Sequence, residues 1–215
     1  MATAAEQDGS LKTGLSFTYR VHRGSPEGGT FIMLHGSGVD ETTLVPLARQ
    51  VSAEATLIAV RGRIVQDESR RWFTRITPTR FDQKSIRAEA AAFAVFVREA
   101  AAAEGFDAKD AVFLGYSNGA NLVSSLMLLH PGIVHRAVLL RSMPVLDNAP
   151  PTRLDGSEIL VIAGAKDETY GPYSPALTAL LAEHGAEVQS FVAPAGHEFG
   201  PDDAKCIRKW LAVAA

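Results

Sequence analysis

A single cysteine, Cys206, stands among the 215 residues, so the chain cannot close a disulfide on itself. A reducing compartment fits that usage. Charge of one sign is equally scarce: 21 basic residues face 24 acidic ones, and neither sign gathers into a long run. That balance lacks the electrostatic footprint of a nucleic-acid binder or of a protein that rides on an anionic membrane. No apolar run approaches the ~18 residues of a membrane-spanning helix. Residues 1–10 have neither the basic start nor the apolar middle of a secretory signal. No His, Cys and carboxylate spacing has metal-ligand form. These absences predict a cytoplasmic protein with no nucleic-acid partner, no stable membrane insertion and no cofactor.

What is present is apolar and punctuated. Hydrophobic residues make up 47% of the chain, enough for a sizeable core in one domain of ordinary size. Residues 1–12 are expected to be a disordered leader and 13–215 a single domain. Leu15, Phe17, Tyr19 and Val21 alternate with polar residues, which predicts a half-buried edge strand. Largely apolar runs follow at 30–34, 55–60, 111–115, 137–140 and 159–163, the mark of strands buried on both faces, and 188–192 is expected to be the last strand. Helical periods lie between them. One runs from a cap at Thr42 or Thr43 to about Ala53, and one from a cap at Asp82 to about Ala103. Others lead from Ser117 to about His130, from Pro175 to His184, and from a cap at Asp202 to the end. Strands alternating with helices predict an α/β fold with a mostly parallel central sheet, helices on both faces and no large cap domain.

The chemistry centres on Gly115-Tyr116-Ser117-Asn118-Gly119, where the strand at 111–115 meets a helix. A G-x-S-x-G turn in that setting holds a serine in strained backbone with its hydroxyl pushed out over the sheet. The flanking glycines are required because strand and helix pass too close for a Cβ. In a parallel sheet, reactive groups gather at the carboxyl ends of the strands. Asp167 follows the strand at 159–163, His197 the strand at 188–192, and His35-Gly36-Ser37-Gly38 the strand at 30–34. Serine is a poor nucleophile until a base takes its proton and a carboxylate orients that base. Ser117, Asp167 and His197 therefore form the candidate triad, in the chain order that belongs to this kind of turn. The N–H groups of Asn118 and Ser37 are the candidate oxyanion hole. His35 precedes the glycines and is expected to shape the loop, and Cys206 to sit inertly in the last helix.

These residues carry a resemblance. Leu34-His35-Gly36-Ser37-Gly38, Gly115 to Asn121, Gly164-Ala165-Lys166-Asp167 and Gly196-His197 resemble α/β-hydrolases of the phospholipase/carboxylesterase family, small esterases akin to acyl-protein thioesterases. Arg61-Gly62-Arg63, the segment Arg71 to Arg75, and Phe81-Asp82 are similar to a bacterial subgroup of carboxylesterases. The likeness runs over nearly the whole chain from about residue 15. It implies an α/β-hydrolase fold and a serine carboxylesterase that works through an acyl-enzyme on a small-molecule ester, and it leaves room for a homodimer. Ser37 stands where thioesterases of this family commonly carry leucine, and only its N–H is needed. The same site could serve a thioesterase or lysophospholipase, or the fold could be reused as a silent small-molecule binder.

Residues 64–79 show no clear period, and 61–81 is expected to be a long loop near the cleft. Trp72 and Phe73 are candidates for an apolar cleft wall, Arg61, Arg63, Arg71 or Arg75 for meeting a substrate carboxylate, and Gly36 for a further substrate contact. The competing reading tucks both aromatics under the loop and pairs the arginines with Asp67, Glu68 and Asp82. With no room for a large cap, a shallow pocket for short-chain or aryl esters is expected.

Overall fold

The computed structural model describes residues 9–213. Twelve strands are assigned: β1 (Ser10–Lys12), β2 (Tyr19–His22), β3 (Thr30–Leu34), β4 (Thr56–Val60), β5 (Ile64–Gln66), β6 (Ser69–Arg71), β7 (Arg75–Thr77), β8 (Arg80–Phe81), β9 (Val112–Tyr116), β10 (Arg136–Leu140), β11 (Glu158–Gly164) and β12 (Glu187–Ala193). The helices are α1 (Val45–Val51), α2 (Gln83–Glu104), α3 (Asn118–Leu129), α4 (Ser174–Glu183) and α5 (Pro201–Val213).

Eight strands form the central sheet in the order β1-β2-β4-β3-β9-β10-β11-β12. The β1–β2 and β2–β4 pairings are antiparallel and the other pairings of this sheet are parallel. This is the expected α/β-hydrolase architecture, without a large cap insertion. Strand order reverses between β3 and β9, where a crevice opens at the carboxyl ends of an open parallel sheet. Leu34 lies opposite Gly115 and Leu140 opposite Tyr116. The loops that follow these strands therefore leave the sheet at one level.

Alternation within strands explains the two-sided core. Ile32, Leu34 and Phe113 pack with Phe93, Val97, Leu122 and Leu177 from α2, α3 and α4. Their neighbours Phe31, Met33, Val112 and Leu114 pack on the other face with Leu47, Val51, Ile207 and Trp210 from α1 and α5. A period of two with both faces covered reads in sequence as an unbroken apolar run.

Several boundaries differ from the sequence reading. Residues 1–8 of the expected leader lie outside the described residues. Ser10–Lys12 instead pair with β2, so β2 is not the edge strand and Phe17 is buried just before it. The stretch at 61–81 is two short hairpins, β5–β6 and β7–β8, of only two or three residues per strand. Asp82 caps α2 by accepting from Ser85 N at 2.7 Å, as expected. α5 departs from its expected cap. It begins at Pro201, and Asp203 rather than Asp202 reaches back to accept from Gly200 N at 2.8 Å.

Candidate active site

β9 delivers Ser117 to the turn before α3 with φ 52° and ψ -118°, a backbone state rare for a residue with a side chain. Its N–H donates to Leu140 O at 2.8 Å and its carbonyl accepts from Asn121 N at 3.0 Å, so both neighbouring elements hold the turn. The glycine requirement is visible at two positions. A Cβ on Gly115 would lie 2.5 Å from Ala120 Cα, and one on Gly119 would lie 2.2 Å from Leu34 O. Both contacts are with backbone, so neither can yield.

The structure brings Ser117, Asp167 and His197 together from the ends of three strands. His197 Nε2 is 2.9 Å from Ser117 Oγ, and His197 Nδ1 is 2.8 Å from Asp167 Oδ2. Asp167 Oδ1 accepts from the N–H groups of Thr169 and Tyr170, each at 3.0 Å. Burial alone would raise the Asp167 pKa. The hydrogen bonds from Tyr170 N, His197 and Thr169 N outweigh it and hold the carboxyl below its usual range. An ionised Asp167 accepts a hydrogen bond from Nδ1–H, which leaves Nε2 as the acceptor facing the Ser117 hydroxyl. The imidazole ring sits between Tyr116 and Tyr170, at centroid separations of 5.5 and 5.2 Å.

The loop after β3 approaches from the other side. His35 is buried, with Nε2 accepting from Gly62 N at 3.0 Å and Nδ1 donating to Gly36 O at 2.6 Å. Burial lowers its pKa and keeps it neutral, so His35 shapes this loop. Gly38 N donates to Arg70 O at 2.9 Å, and Arg71 Nη1 donates to Ser37 Oγ at 2.9 Å. The N–H groups of Ser37 and Asn118 donate to no group among the described residues. Asn118 begins α3, where N–H groups have no helical acceptor. Gly36 packs under Tyr116, whose ring carbon would lie 2.8 Å from an added Cβ.

Several of the sequence candidates are not where they were expected. Trp72 and Phe73 are fully buried and belong to the core with Phe17 and Phe93. Trp72 Nε1 donates to His35 O at 2.8 Å, and its backbone N–H donates to Asn118 Oδ1 at 2.7 Å. They brace the site from beneath and form no cleft wall. Arg61 also turns away: it grips both oxygens of Glu41, at 2.7 and 2.5 Å. Arg63 pairs with Glu89 through two hydrogen bonds of 3.0 and 2.9 Å. The acids that answer these arginines are thus Glu41 and Glu89, not Asp67, Glu68 or Asp82. Arg75 lies in the lining of the cavity at Ser117.

That cavity measures about 190 Å³ and is bounded by Ser37, Arg75, Pro78, Ser117, Tyr170 and His197. A larger groove of about 930 Å³ lies behind the Asp167 turn, against β12, and contains neither Ser117 nor His197. Sequence reasoning overlooked Arg141. It follows β10 at the same sheet edge, with φ 50°, and its guanidinium donates to Gly196 O and Glu198 O at 2.9 and 2.8 Å. Those two carbonyls bracket His197. The available signal was a lone arginine straight after the apolar run Val138-Leu139-Leu140.

No known family model matches the chain. Individual proteins do. A carboxylesterase from Mesorhizobium loti is 60% identical, with a TM-score of 0.91 over 94% of this chain and 98% of that one. A Bacillus cereus carboxylesterase is 27% identical, with a TM-score of 0.89 over 94% of this chain and 96% of that one. MhqD of Bacillus subtilis is 28% identical over 184 residues, which is 85% of this chain and 92% of its own. No helix among the described residues is long and apolar enough to cross a membrane.

Proposed function

Since the chain belongs to the carboxylesterase–phospholipase group of the α/β-hydrolase superfamily, we propose that it is a serine esterase cleaving small carboxylic esters through an acyl-enzyme. The observation that carries the reading is the unbroken relay Ser117 Oγ–His197–Asp167, with both links under 3 Å. Ser117 attacks the ester carbonyl as His197 Nε2 takes its proton. Asp167, held by two backbone N–H groups, stabilises the imidazolium that results. The negative charge on the carbonyl oxygen falls to the N–H groups of Ser37 and Asn118. His197 returns its proton to the departing alkoxide. Water then enters by the same base and releases the acid.

The cavity of about 190 Å³ favours short acyl chains or compact alcohols over long lipid chains. The first test is Ser117→Ala on a short-chain p-nitrophenyl ester. Loss of turnover with an unchanged circular dichroism spectrum, together with loss of fluorophosphonate labelling, is the expected result. Turnover that persists in that variant removes Ser117 from its role.

A further inference from the structure

Three arginines at the site end of the molecule have an acid. Arg61 has Glu41, Arg63 has Glu89 and Arg141 has Asp203. Arg71 and Arg75 stand apart, since neither forms an ion pair among the described residues. Arg71 is only 4% exposed. Its one hydrogen bond goes from Nη1 to the neutral hydroxyl of Ser37, and its Nε is buried without a partner. An enclosed guanidinium with an unused donor and no counter-charge is costly to maintain. Arg75 adds a second positive charge and lines the cavity at Ser117. Burial and the charge of Arg75 both push the Arg71 pKa down, while Tyr170 and Asp67 pull the other way with less effect. Two like charges thus meet, Arg75 in the cavity lining and Arg71 behind Ser37, with neither in an ion pair among the described residues.

We propose that Arg71 and Arg75 form an anion subsite that selects esters carrying a carboxylate within a few bonds of the scissile carbonyl. The idea rests on the esterase reading above and names the substrate class for that site. A carboxylate matches the planar, two-donor edge of a guanidinium better than any neutral group. The subsite adjoins Ser37, whose N–H is a candidate oxyanion donor and whose hydroxyl Arg71 already holds. The anion must therefore lie close to the reacting carbon. Half-esters of short dicarboxylic acids and acylated short hydroxy acids both meet that demand. A long linker does not fit a cavity of about 190 Å³.

The test compares kcat/KM, followed by pH-stat, for monomethyl succinate against methyl valerate, and for acetoxyacetate against propyl acetate. The first pair puts the carboxylate on the acyl side and the second on the alcohol side. The wild-type protein is expected to prefer the charged member of at least one pair by about tenfold or more. In Arg75→Gln and Arg71→Gln that ratio is expected to collapse towards one, chiefly through a raised KM for the charged ester. Arg71 is enclosed, so its variant is checked by thermal unfolding. Arg75 is exposed, which keeps the comparison decisive if Arg71→Gln fails to fold. Equal or better use of the neutral esters by the wild type overturns the subsite and leaves the esterase standing. So does a ratio that the variants do not move. Failure of all four esters, with no fluorophosphonate labelling of Ser117, overturns the esterase and the subsite together.

Discussion

Arg141 holds both carboxylate oxygens of Asp203, at 2.8 and 3.0 Å, beneath the loop that carries His197. Both side chains are essentially inaccessible to water. A buried pair of this kind is tolerable only when every polar atom is used. Here the remaining donors of Arg141 serve Gly196 O, Glu198 O and Ile162 O, and Asp203 also accepts from Gly200 N. One cation therefore ties β10, β11, the His197 loop and the start of α5 to a single point.

Breaking that pair should act on stability and turnover together. Asp203→Asn keeps the shape but leaves the Arg141 charge uncompensated, and a loss of about 3–5 kcal/mol in urea unfolding is expected. The loop on either side of His197 loses its anchor, so kcat for a short ester should fall by ten- to about a hundredfold. Fluorophosphonate labelling of Ser117 should slow in proportion. Lost stability with undiminished turnover would show that the pair holds the fold and has no part in placing His197.

Glu41 predicts a pH dependence. Burial alone would raise its pKa, but the hydrogen bonds from Arg61 and Arg20 bring it down to about 2. Its ordinary value is 4.5, so the folded state favours the ionised form. The stabilisation is present in full above the unfolded value and disappears as pH falls through the folded one. It is worth up to about 3 kcal/mol, less because both arginines are partly exposed to solvent. Glu41→Gln should be less stable than the wild type at pH 7. The gap should hold down to about pH 5 and close between there and pH 2. Urea unfolding at pH 7, 4.5 and 3 measures it, and a gap that is constant across the three would refute the ion-pair account.

The places where sequence reading succeeded and failed have physical causes. Ser117 and Asp167 each follow an apolar strand and His197 a more polar one, and parallel topology sends the ends of such strands to one edge whatever the sequence distance. The hairpins at 64–81 were invisible because strands of two or three residues are too short to show a period. Trp72 sits between Arg71 and Phe73 in a polar stretch, and composition alone fits a cleft wall as well as a core plug. Its burial is decided by Phe17, Phe93 and His35, which come from three other parts of the chain. Arg61 and Glu41 meet across β3 and β4, a pairing set by sheet order and not by proximity in sequence.

Trp72 connects the core to the candidate oxyanion loop, and a conservative change isolates that connection. Trp72→Phe removes the Nε1 donor and leaves the buried His35 carbonyl short of its partner. Lost hydrogen bonding and lost volume together should cost about 2–4 kcal/mol. For a chain of this size that corresponds to a thermal midpoint lower by roughly 5–15 °C. The order of preference among acetyl, butyryl and hexanoyl esters should stay as in the wild type, since this ring does not border the cavity. A changed acyl preference would return Trp72 to the cleft.

The strain at Ser117 can be measured by removing the side chain in two steps. Ser117→Ala keeps a Cβ at φ 52°, ψ -118°, whereas Ser117→Gly does not. A backbone state of this kind costs of order 1–3 kcal/mol for a residue with a Cβ. Glycine gives back roughly 0.5–1 kcal/mol of that through its freer unfolded chain. Ser117→Gly should therefore be the more stable of the two by about 1 kcal/mol in urea unfolding, although neither turns over ester. Glycine is also preferred to alanine at the position that caps a helix, which Ser117 occupies, so capping and relief of strain favour the same order. If alanine proves equal or better, the turn holds no strain, and the hydroxyl is kept in place by Leu140 O, Asn121 N and the close packing of Gly115 and Gly119 alone.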